Sequence, residues 1–343
     1  MTALGIVAIG RNEGERLRIC LESALAVQAP VVYVDSGSSD GSVALAHKLG
    51  VSVLRLDPSR PFTAGRARRE GFQKLLEEHR DLAEVFFVDG DCEVVSGWLE
   101  TAQRFFRERP EVGAVCGRRR ERFPQRSMFN RICDFEWSAP AGACLSVGGD
   151  SLFRVSAYLE AGEFNPRVPA GEEPELCLRL RAAGWLVWRL DEDMTTHDAA
   201  MIHWSQWWKR NERTGYGGYD VERRFALGMF DRLIRGAYVW SASYAAALTT
   251  VVAVMLLVRP WWSGLVVAAL AGLLWTAQAV RVARHARRRG VSWRGCCEIG
   301  GLTMLSKVPI AFGAVRGVWA ARRGEQARII EYKRDESVIG GSA

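Results

Sequence analysis

Short apolar runs alternate with amphipathic segments through residues 4–109 of the chain. The apolar runs are rich in Val, Ile, Leu and Phe, which is typical of strands, and the segments that follow them have helical spacing. The four strand-like runs are residues 4–10, 31–37, 51–57 and 83–91. This order predicts an α/β fold with a mostly parallel sheet covered by helices on both faces.

Acidic residues stand where the predicted strands end: Asp35, Asp57, Asp89 and Asp91. Ligands of open α/β sheets bind beyond the carboxyl ends of the strands, so these positions predict a crevice lined by carboxylates. The stretch FFVDGDCEV, residues 86–94, sets two of the acids only two positions apart. Asp-x-Asp is common by chance, but after a buried strand it suits Mg²⁺ or Mn²⁺, which can bridge to a substrate diphosphate.

The character of the chain changes near residue 236. Residues 237–258 and 261–280 carry no charged side chain, and each run is long enough for a helix to cross about 30 Å of hydrocarbon. We interpret residues 236–282 as a transmembrane hairpin, with a buried helical pair in a soluble protein as the alternative. Arginines before the first run and after the second place both outer ends in the cytoplasm.

A third apolar segment, residues 296–320, contains Glu298, Lys307, Pro309 and Arg316. A basic residue at the centre of a membrane helix costs about 2.5 to 3.5 kcal/mol on insertion scales. We therefore expect an interfacial or re-entrant helix here in preference to a third span, within a basic cytoplasmic segment at 283–343.

The formal net charge of +7 suggests an anionic partner. The basic residues flank the apolar runs, so they indicate a membrane surface, and we expect no nucleic-acid partner. Eight cysteines contain no C-x-x-C pair, which argues against a zinc ribbon and a dense disulfide framework. The N-terminal apolar run is too short for a signal peptide, and this predicts a cytoplasmic first domain.

Five motifs resemble, in order and spacing, those of family 2 glycosyltransferases with a GT-A fold. They are IVAIGRNEGERLRICLESAL, VVYVDSGSSDGS, FFVDGDCEV, VGGDSLFR and GEEPELCLRLRAAGW. The resemblance covers about residues 4–215, and membrane-associated bacterial members also continue into a C-terminal hairpin. It implies a Rossmann-like GT-A domain over residues 1–230, with a divalent cation and an inverting transfer from a nucleotide-sugar.

The resemblance also implies roles for individual residues. The donor-binding positions are Asn12, Glu13, Asp35, Asp40 and Asp89, and Asp91 is the metal ligand. For Asp35 a loop acid next to a helix N-terminus is the alternative, because VDSGSSDGS also supplies capping residues. In the acceptor-side loop of the family, Asp150 is the expected contact to sugar or acceptor.

The general base falls on an acidic pair. The family has Glu-Asp where this chain has Glu172-Glu173, so we align Glu173 with the base and keep Glu172 as the fallback. Crowding with Glu175 disfavours full ionisation and suits a base poised near neutrality. The acids also fit the N-terminal turn of a helix that has Pro174 near its start.

Residues 196–217 follow the last strand of the predicted catalytic domain. By resemblance His197 completes the metal site, with His203 as the fallback, and Arg210 and Arg213 lie one helical turn apart where they could grip the diphosphate. The chain lacks the full Q-x-x-R-W motif of processive polymerases. Aromatic and basic residues within 203–235 predict an amphipathic region at the membrane interface.

The sequence thus predicts a multi-pass inner-membrane glycosyltransferase with a cytoplasmic catalytic domain and a lipid-linked or other glycan acceptor. Two alternatives stay open. One is a metal-dependent nucleotidyl or phosphoryl transferase, although no P-loop or G-x-G-x-x-G follows the first strand. The other is a scaffold that binds the nucleotide-sugar and has lost catalysis.

Overall fold

A computed structural model of the protein describes residues 3–226, 228–258, 260 and 262–324. The described chain forms two units, the first of residues up to 123 and 136–200, the second of residues 124–135 and 201–324. The part of the predicted segment 283–343 that begins at residue 325 lies outside the described residues.

The first unit is built on a mixed sheet. Its strands are β1 (Leu4–Gly10), β2 (Val31–Asp35), β3 (Ser52–Arg55), β4 (Glu84–Asp89), β5 (Cys92–Val94), β6 (Val112–Glu121), β7 (Gly142–Ala143), β8 (Ser151–Arg154) and β9 (Leu186–His197). The described strands have the order β3-β2-β1-β4-β8-β6-β9-β5, and β7 pairs with β9. The parallel arrangement predicted for the first four long strands is confirmed. Beyond β4 the sheet becomes mixed, because β8 is antiparallel to both β4 and β6.

Helices cover this sheet. They are α1 (Glu15–Leu25), α2 (Ser42–Lys48), α3 (Ala64–Glu78), α4 (Trp98–Glu108), α6 (Val155–Glu160) and α7 (Glu172–Ala182). α3 lies very close to the sheet at Gly71, where a Cβ atom would stand 2.5 Å from Val34 Cγ2 and 2.6 Å from Val7 Cγ1. This close approach needs glycine.

The strand register brings the candidate residues to one edge of the sheet. In the parallel pairs, Gly10 at the end of β1 lies opposite Asp35, and Ile9 lies opposite Asp89. Farther along the strand order, His197 at the end of β9 pairs in register with Cys92 on β5 and with Glu121 at the end of β6. The last residues of five strands therefore define the edge at which the site lies.

The second unit is helical. It contains most of α5 (Met128–Trp137), then α8 (Trp204–Phe225), α9 (Met229–Leu257), α10 (Ser263–Arg288), α11 (Trp293–Leu305) and α12 (Lys307–Arg322). Three helical stretches are long and apolar enough to cross a membrane: α9, α10 and the continuous stretch of α11 and α12. The most apolar windows of α9 and α10 are entirely unburied, whereas 56% of the third window is buried.

Candidate active site

The loop after β2 is held by its own polar side chains. The buried Asp35 carboxylate accepts hydrogen bonds from the backbone N–H groups of Gly37 and Ser38, each at 3.1 Å. Asn12, in the left-handed region at φ 54°, donates its N–H to Ser38 Oγ at 3.0 Å and accepts from Ser39 N–H at 2.8 Å. These contacts give Asp35 and Asn12 a role in shaping the loop.

The other two predicted donor residues of this region lie beside the same loops. Asp40 accepts the backbone N–H of Ser42 at 2.9 Å, at the start of α2. Glu13 forms an ion pair of 3.1 Å with Arg16. Its Cγ atom stands only 3.3 Å from the position of a Cβ on Gly10, so the end of β1 is shaped around this side chain.

Two arginines hold Asp89: Arg68 is buried and Arg119 is partly buried. Arg68 Nη2, on α3, donates to Asp89 Oδ1 at 2.8 Å, and Arg119 Nη2, on β6, donates to Asp89 Oδ2 at 3.1 Å. Burial alone would raise the pKa of Asp89, but the two guanidinium charges outweigh burial and keep the pKa below its ordinary value. The backbone of Gly149 lies close to the Arg68–Asp89 contact, because a Cβ atom on Gly149 would stand 2.6 Å from both Arg68 Nη2 and Asp89 Oδ2.

Asp150, the predicted contact to sugar or acceptor, lies against Asp89 and Arg119. Its side chain is fully buried and forms an ion pair of 2.8 Å with Arg119. The same carboxylate accepts the backbone N–H of Asp89 at 3.0 Å and the Thr195 hydroxyl at 2.6 Å. Through these contacts Asp150 positions Asp89 and Arg119, and its role as a contact to sugar or acceptor stays a prediction.

Asp91 and His197, the two predicted metal ligands, lie next to each other. His197 Nε2 lies 3.1 Å from Asp91 Oδ2, and ligand atoms of these residues and Cys92 fall within 4.8 Å of one another. Two ligands at right angles around an ion at about 2.1 Å would be about 3 Å apart, so the pair fits a divalent cation. The thiol of Cys92 is softer than the ligands that Mg²⁺ or Mn²⁺ prefers.

Glu121, which the sequence did not single out, stands behind His197. Its Oε2 atom lies 3.7 Å from His197 Nδ1, and that nitrogen is buried without a hydrogen-bond partner. Glu121 is fixed in turn by the backbone N–H groups of Phe123 at 3.1 Å and Ala199 at 3.0 Å. A proton on Nδ1 directed at Glu121 leaves the Nε2 lone pair facing Asp91, which is the tautomer that a metal ligand needs.

His197 is also held electrostatically and by packing. Burial alone would lower the pKa of His197, but the charge and hydrogen bond of Asp91 outweigh it, so the pKa is raised. The edge of the Trp137 ring meets the imidazole at a centroid distance of 4.6 Å, and Arg119 lies 5.7 Å from the same indole. Trp137 therefore packs against both His197 and Arg119.

The two candidate bases differ in environment. Glu172, the first residue of α7, is buried and accepts a hydrogen bond of 2.8 Å from Arg68 Nη1. Glu173 is 3.4 Å from the same nitrogen. Burial and the charge of Glu172 raise the pKa of Glu173 to about 7, against the opposing charge of Arg68. Glu175 is structural, because it pairs with Arg179 at 2.7 Å within the helix.

The remaining predicted residues lie in the second unit. Arg210 and Arg213 are on α8, one turn apart and partly buried, and their role in donor binding stays a prediction. His203 is the N-cap of α8, where its backbone N–H donates to Gln206 Oε1 at 2.9 Å.

The chain is similar in sequence and in fold to known glycosyltransferases. Residues 6–142 match the family model described as "Glycosyl transferase family 2". Over these residues the chain is similar to a family 2 glycosyltransferase, and the first unit is called the glycosyltransferase domain below. A mannosyltransferase of Pyrobaculum calidifontis, solved with GDP-Man and Mn²⁺, has the same fold, with a TM-score of 0.53 and 16% identity over 92% of this chain and 87% of that chain. This likeness supports the GT-A assignment of the glycosyltransferase domain.

Residues 1–349 of TarS from S. aureus align with a TM-score of 0.49 and 13% identity, over 95% of this chain and 92% of that chain. The chain spans 40% of the length of the longer TarS structure.

The glycosyltransferase domain contains functional residues that the sequence analysis missed. Arg68 and Glu121 are buried in the site, and Arg119 is partly buried there. A signal existed for Arg68, because it lies four and seven residues before Phe72 and Leu75 on the buried face of α3. An arginine on the apolar stripe of a helix is seldom buried without a charged partner.

We expect Arg68→Met to destabilise the glycosyltransferase domain by about 3 to 5 kcal/mol, because it leaves Glu172 buried without its cation and Asp89 with Arg119 alone. Arg69→Met is the matched control. Arg69 is more exposed and pairs with Glu163 at 2.7 Å, so its loss costs about 0 to 1 kcal/mol. Urea unfolding of the full-length protein measures both, and equal losses would contradict the assignment.

We expect Glu121→Gln to lower the affinity for Mn²⁺ by about 10- to 100-fold, because the carboxylate that orients His197 is lost. Electron paramagnetic resonance of free Mn²⁺ during titration gives the dissociation constant. Glu93→Gln is the control, since Glu93 is 40% exposed and pairs with Arg122. An unchanged affinity in Glu121→Gln would show that His197 is oriented without it.

Proposed function

We propose that this chain is a membrane-anchored, metal-dependent, inverting glycosyltransferase that moves a sugar from a nucleotide-sugar to a lipid-linked or other glycan acceptor at the cytoplasmic face. The observation that carries this proposal is the cluster at the strand ends. Arg68 joins Asp89 to the acidic pair on α7, and Asp91 with His197 forms the ligand pair of a cation.

Asp91 and His197 would hold the cation, with Glu121 orienting the imidazole. Mg²⁺ or Mn²⁺ held there would stabilise the negative charge of the departing nucleoside diphosphate. The family match and the mannosyltransferase of the same fold, solved with GDP-Man and Mn²⁺, support this class of donor and ion.

The donor would lie over the loops that follow β1 and β2. Asn12 and Asp35 fix those loops, and Glu13, Asp40 and Asp89 stand beside them. Arg210 and Arg213 are the proposed cations for the diphosphate. The Asp35 carboxylate accepts hydrogen bonds from backbone amides of the loop, so we propose that it contributes to donor binding by shaping the loop.

Glu173 is the proposed base. Inversion needs a carboxylate that takes the acceptor proton while the hydroxyl attacks the anomeric carbon opposite the leaving diphosphate. Glu172 is committed to Arg68 at 2.8 Å, whereas Glu173 is more weakly held and has a pKa raised to about 7. A base with this pKa is ionised in part at neutral pH and accepts a proton readily.

The anchoring rests on α9 and α10, whose apolar windows have mean hydropathy of 1.7 and no buried residue. Arginines flank both outer ends, so we place those ends and the glycosyltransferase domain in the cytoplasm of a cell with this protein in its inner membrane. Residues 203–235 and 283–324 would lie at that surface. An acceptor confined to the bilayer gives such an anchor a purpose.

We expect the rate of transfer to fall as the pH drops through about 7, because protonated Glu173 cannot accept the acceptor proton. Glu173→Gln should reduce transfer by about 10²- to 10⁴-fold and leave donor affinity nearly unchanged. Glu175→Gln is the control for a nearby acid outside the chemistry. A Glu173→Gln enzyme that keeps its turnover and pH profile would move the base to Glu172.

The proposed activity is tested by release of nucleoside diphosphate from a panel of UDP- and GDP-sugars, with Mn²⁺ or Mg²⁺ and with or without a membrane-lipid extract. We expect release from one donor that needs metal, rises with the extract and is lost in Asp91→Asn. Asp193→Asn, at an exposed acid, is the control. Release that ignores the extract would favour a soluble acceptor, and donor binding without release would favour the non-catalytic scaffold.

A further inference from the structure

The last described helix carries its large apolar residues on the outside. The residues that face inward are mostly small: Ile310, Ala311, Gly313, Ala314 and Gly317. The outward stripe consists of Leu305, Val308, Phe312, Val315 and Trp319, which are 52%, 36%, 51%, 41% and 59% exposed. The stripe recurs every three or four residues, so it forms one continuous face of α12 and the end of α11. A helix in water has the opposite arrangement.

Tight packing against α8 fixes this orientation. A Cβ atom on Gly313 would collide with the carbonyl oxygen of Glu212, and one on Gly215 would collide with that of Ile310. Arg316 also forms an ion pair with Glu212. Rotating the helix to bury the outward stripe would therefore press side chains into backbone and break a half-buried ion pair.

The same helical stretch contacts the ends of both proposed spans. Gly300 lies against the backbone of Ala279, next to the last residue of the second uncharged run. Ala237, the first residue of the other run, packs with Ile310 and Ala311. Between these contacts, the hydroxyls of Ser241 and Tyr244 each donate at 3.0 Å, to the carbonyl oxygens of Lys307 and Met304. These contacts lie at the ends where the uncharged runs meet their basic flanks.

We propose that the outward stripe is inserted in the acyl region of the lipid monolayer at the cytoplasmic end of the hairpin. This inference rests on the proposed membrane anchoring and adds a second, shallow attachment to it. Lipid is the occupant because the stripe lies on a helical stretch that packs against α9 and α10, whose own apolar windows are uncovered. Arg322 and Arg323 end the stripe, and Arg323 lies 5.8 Å from the Trp319 ring, as expected at a boundary with anionic headgroups.

The test is photocrosslinking of the full-length protein in nanodiscs of bacterial phospholipid. A photoreactive benzoylphenylalanine replaces Phe312 in one variant and Val315 in another. Leu257, 83% exposed on α9, reports the anchoring itself, and Leu159, 46% exposed in the glycosyltransferase domain, is the control for random collision with lipid. Mass spectrometry identifies each adduct.

We expect phospholipid adducts at 312, 315 and 257 that are several-fold more abundant than at 159. Lipid at 257 without lipid at 312 and 315 would overturn the inference and leave the anchoring intact. Absence of lipid adducts at 312, 315 and 257 would overturn both the inference and the proposed anchoring. A protein–protein adduct at 312 would replace lipid by a second copy of the chain as the occupant of the stripe.

Discussion

The structure depends on the neutralisation of carboxylates that are buried together at the end of β4, just before β8 and at the start of α7. Asp89, Asp150 and Glu172 are each largely removed from water, and burial of an unpaired carboxylate costs several kcal/mol. Two arginines from different elements, Arg68 on α3 and Arg119 on β6, meet this cost. Each guanidinium serves two of the acids, so the position of one group constrains the others.

The charged groups of this cluster are also closely packed. The backbone at Gly149 runs against the contact of Arg68 with Asp89, with no room for a side chain. On the other side of the cluster, Trp137 fills the space between Arg119 and His197. The polar groups are held by packing, which is the condition for electrostatic preorganisation.

Much of the glycosyltransferase domain was accessible from the sequence because its signals are local. Strand-like runs and helical spacing predicted the parallel strands, and the Asp-x-Asp stretch pointed to the candidate cation site. The mixed half of the sheet was not predicted, because pairing of β8 with β4 and β6 depends on contacts far apart in the chain. The roles of Arg119 and Glu121 were hidden for the same reason, since both act through partners more than 20 residues away.

The helical unit shows a second limit. Composition identified the apolar runs and the mixed character of residues 296–320, but it could not tell which face of that helix is covered. The covered face is decided by glycines that allow backbone contact, such as Gly313 against α8. A small residue gives no hydrophobic signal, and its effect appears only when the neighbouring helix is in place.

Arg68 has one further consequence. It touches Asp89, a proposed donor residue, and the Glu172-Glu173 pair that contains the proposed base, and the charge of Asp89 is one of the causes that raise the pKa of Glu173. Positive charge brought to Asp89 must therefore make Glu173 release its proton more easily. By thermodynamic reciprocity, release of that proton strengthens the binding of the positive charge by the same factor. Binding of positive charge at Asp89 and deprotonation of the proposed base Glu173 are thus thermodynamically coupled.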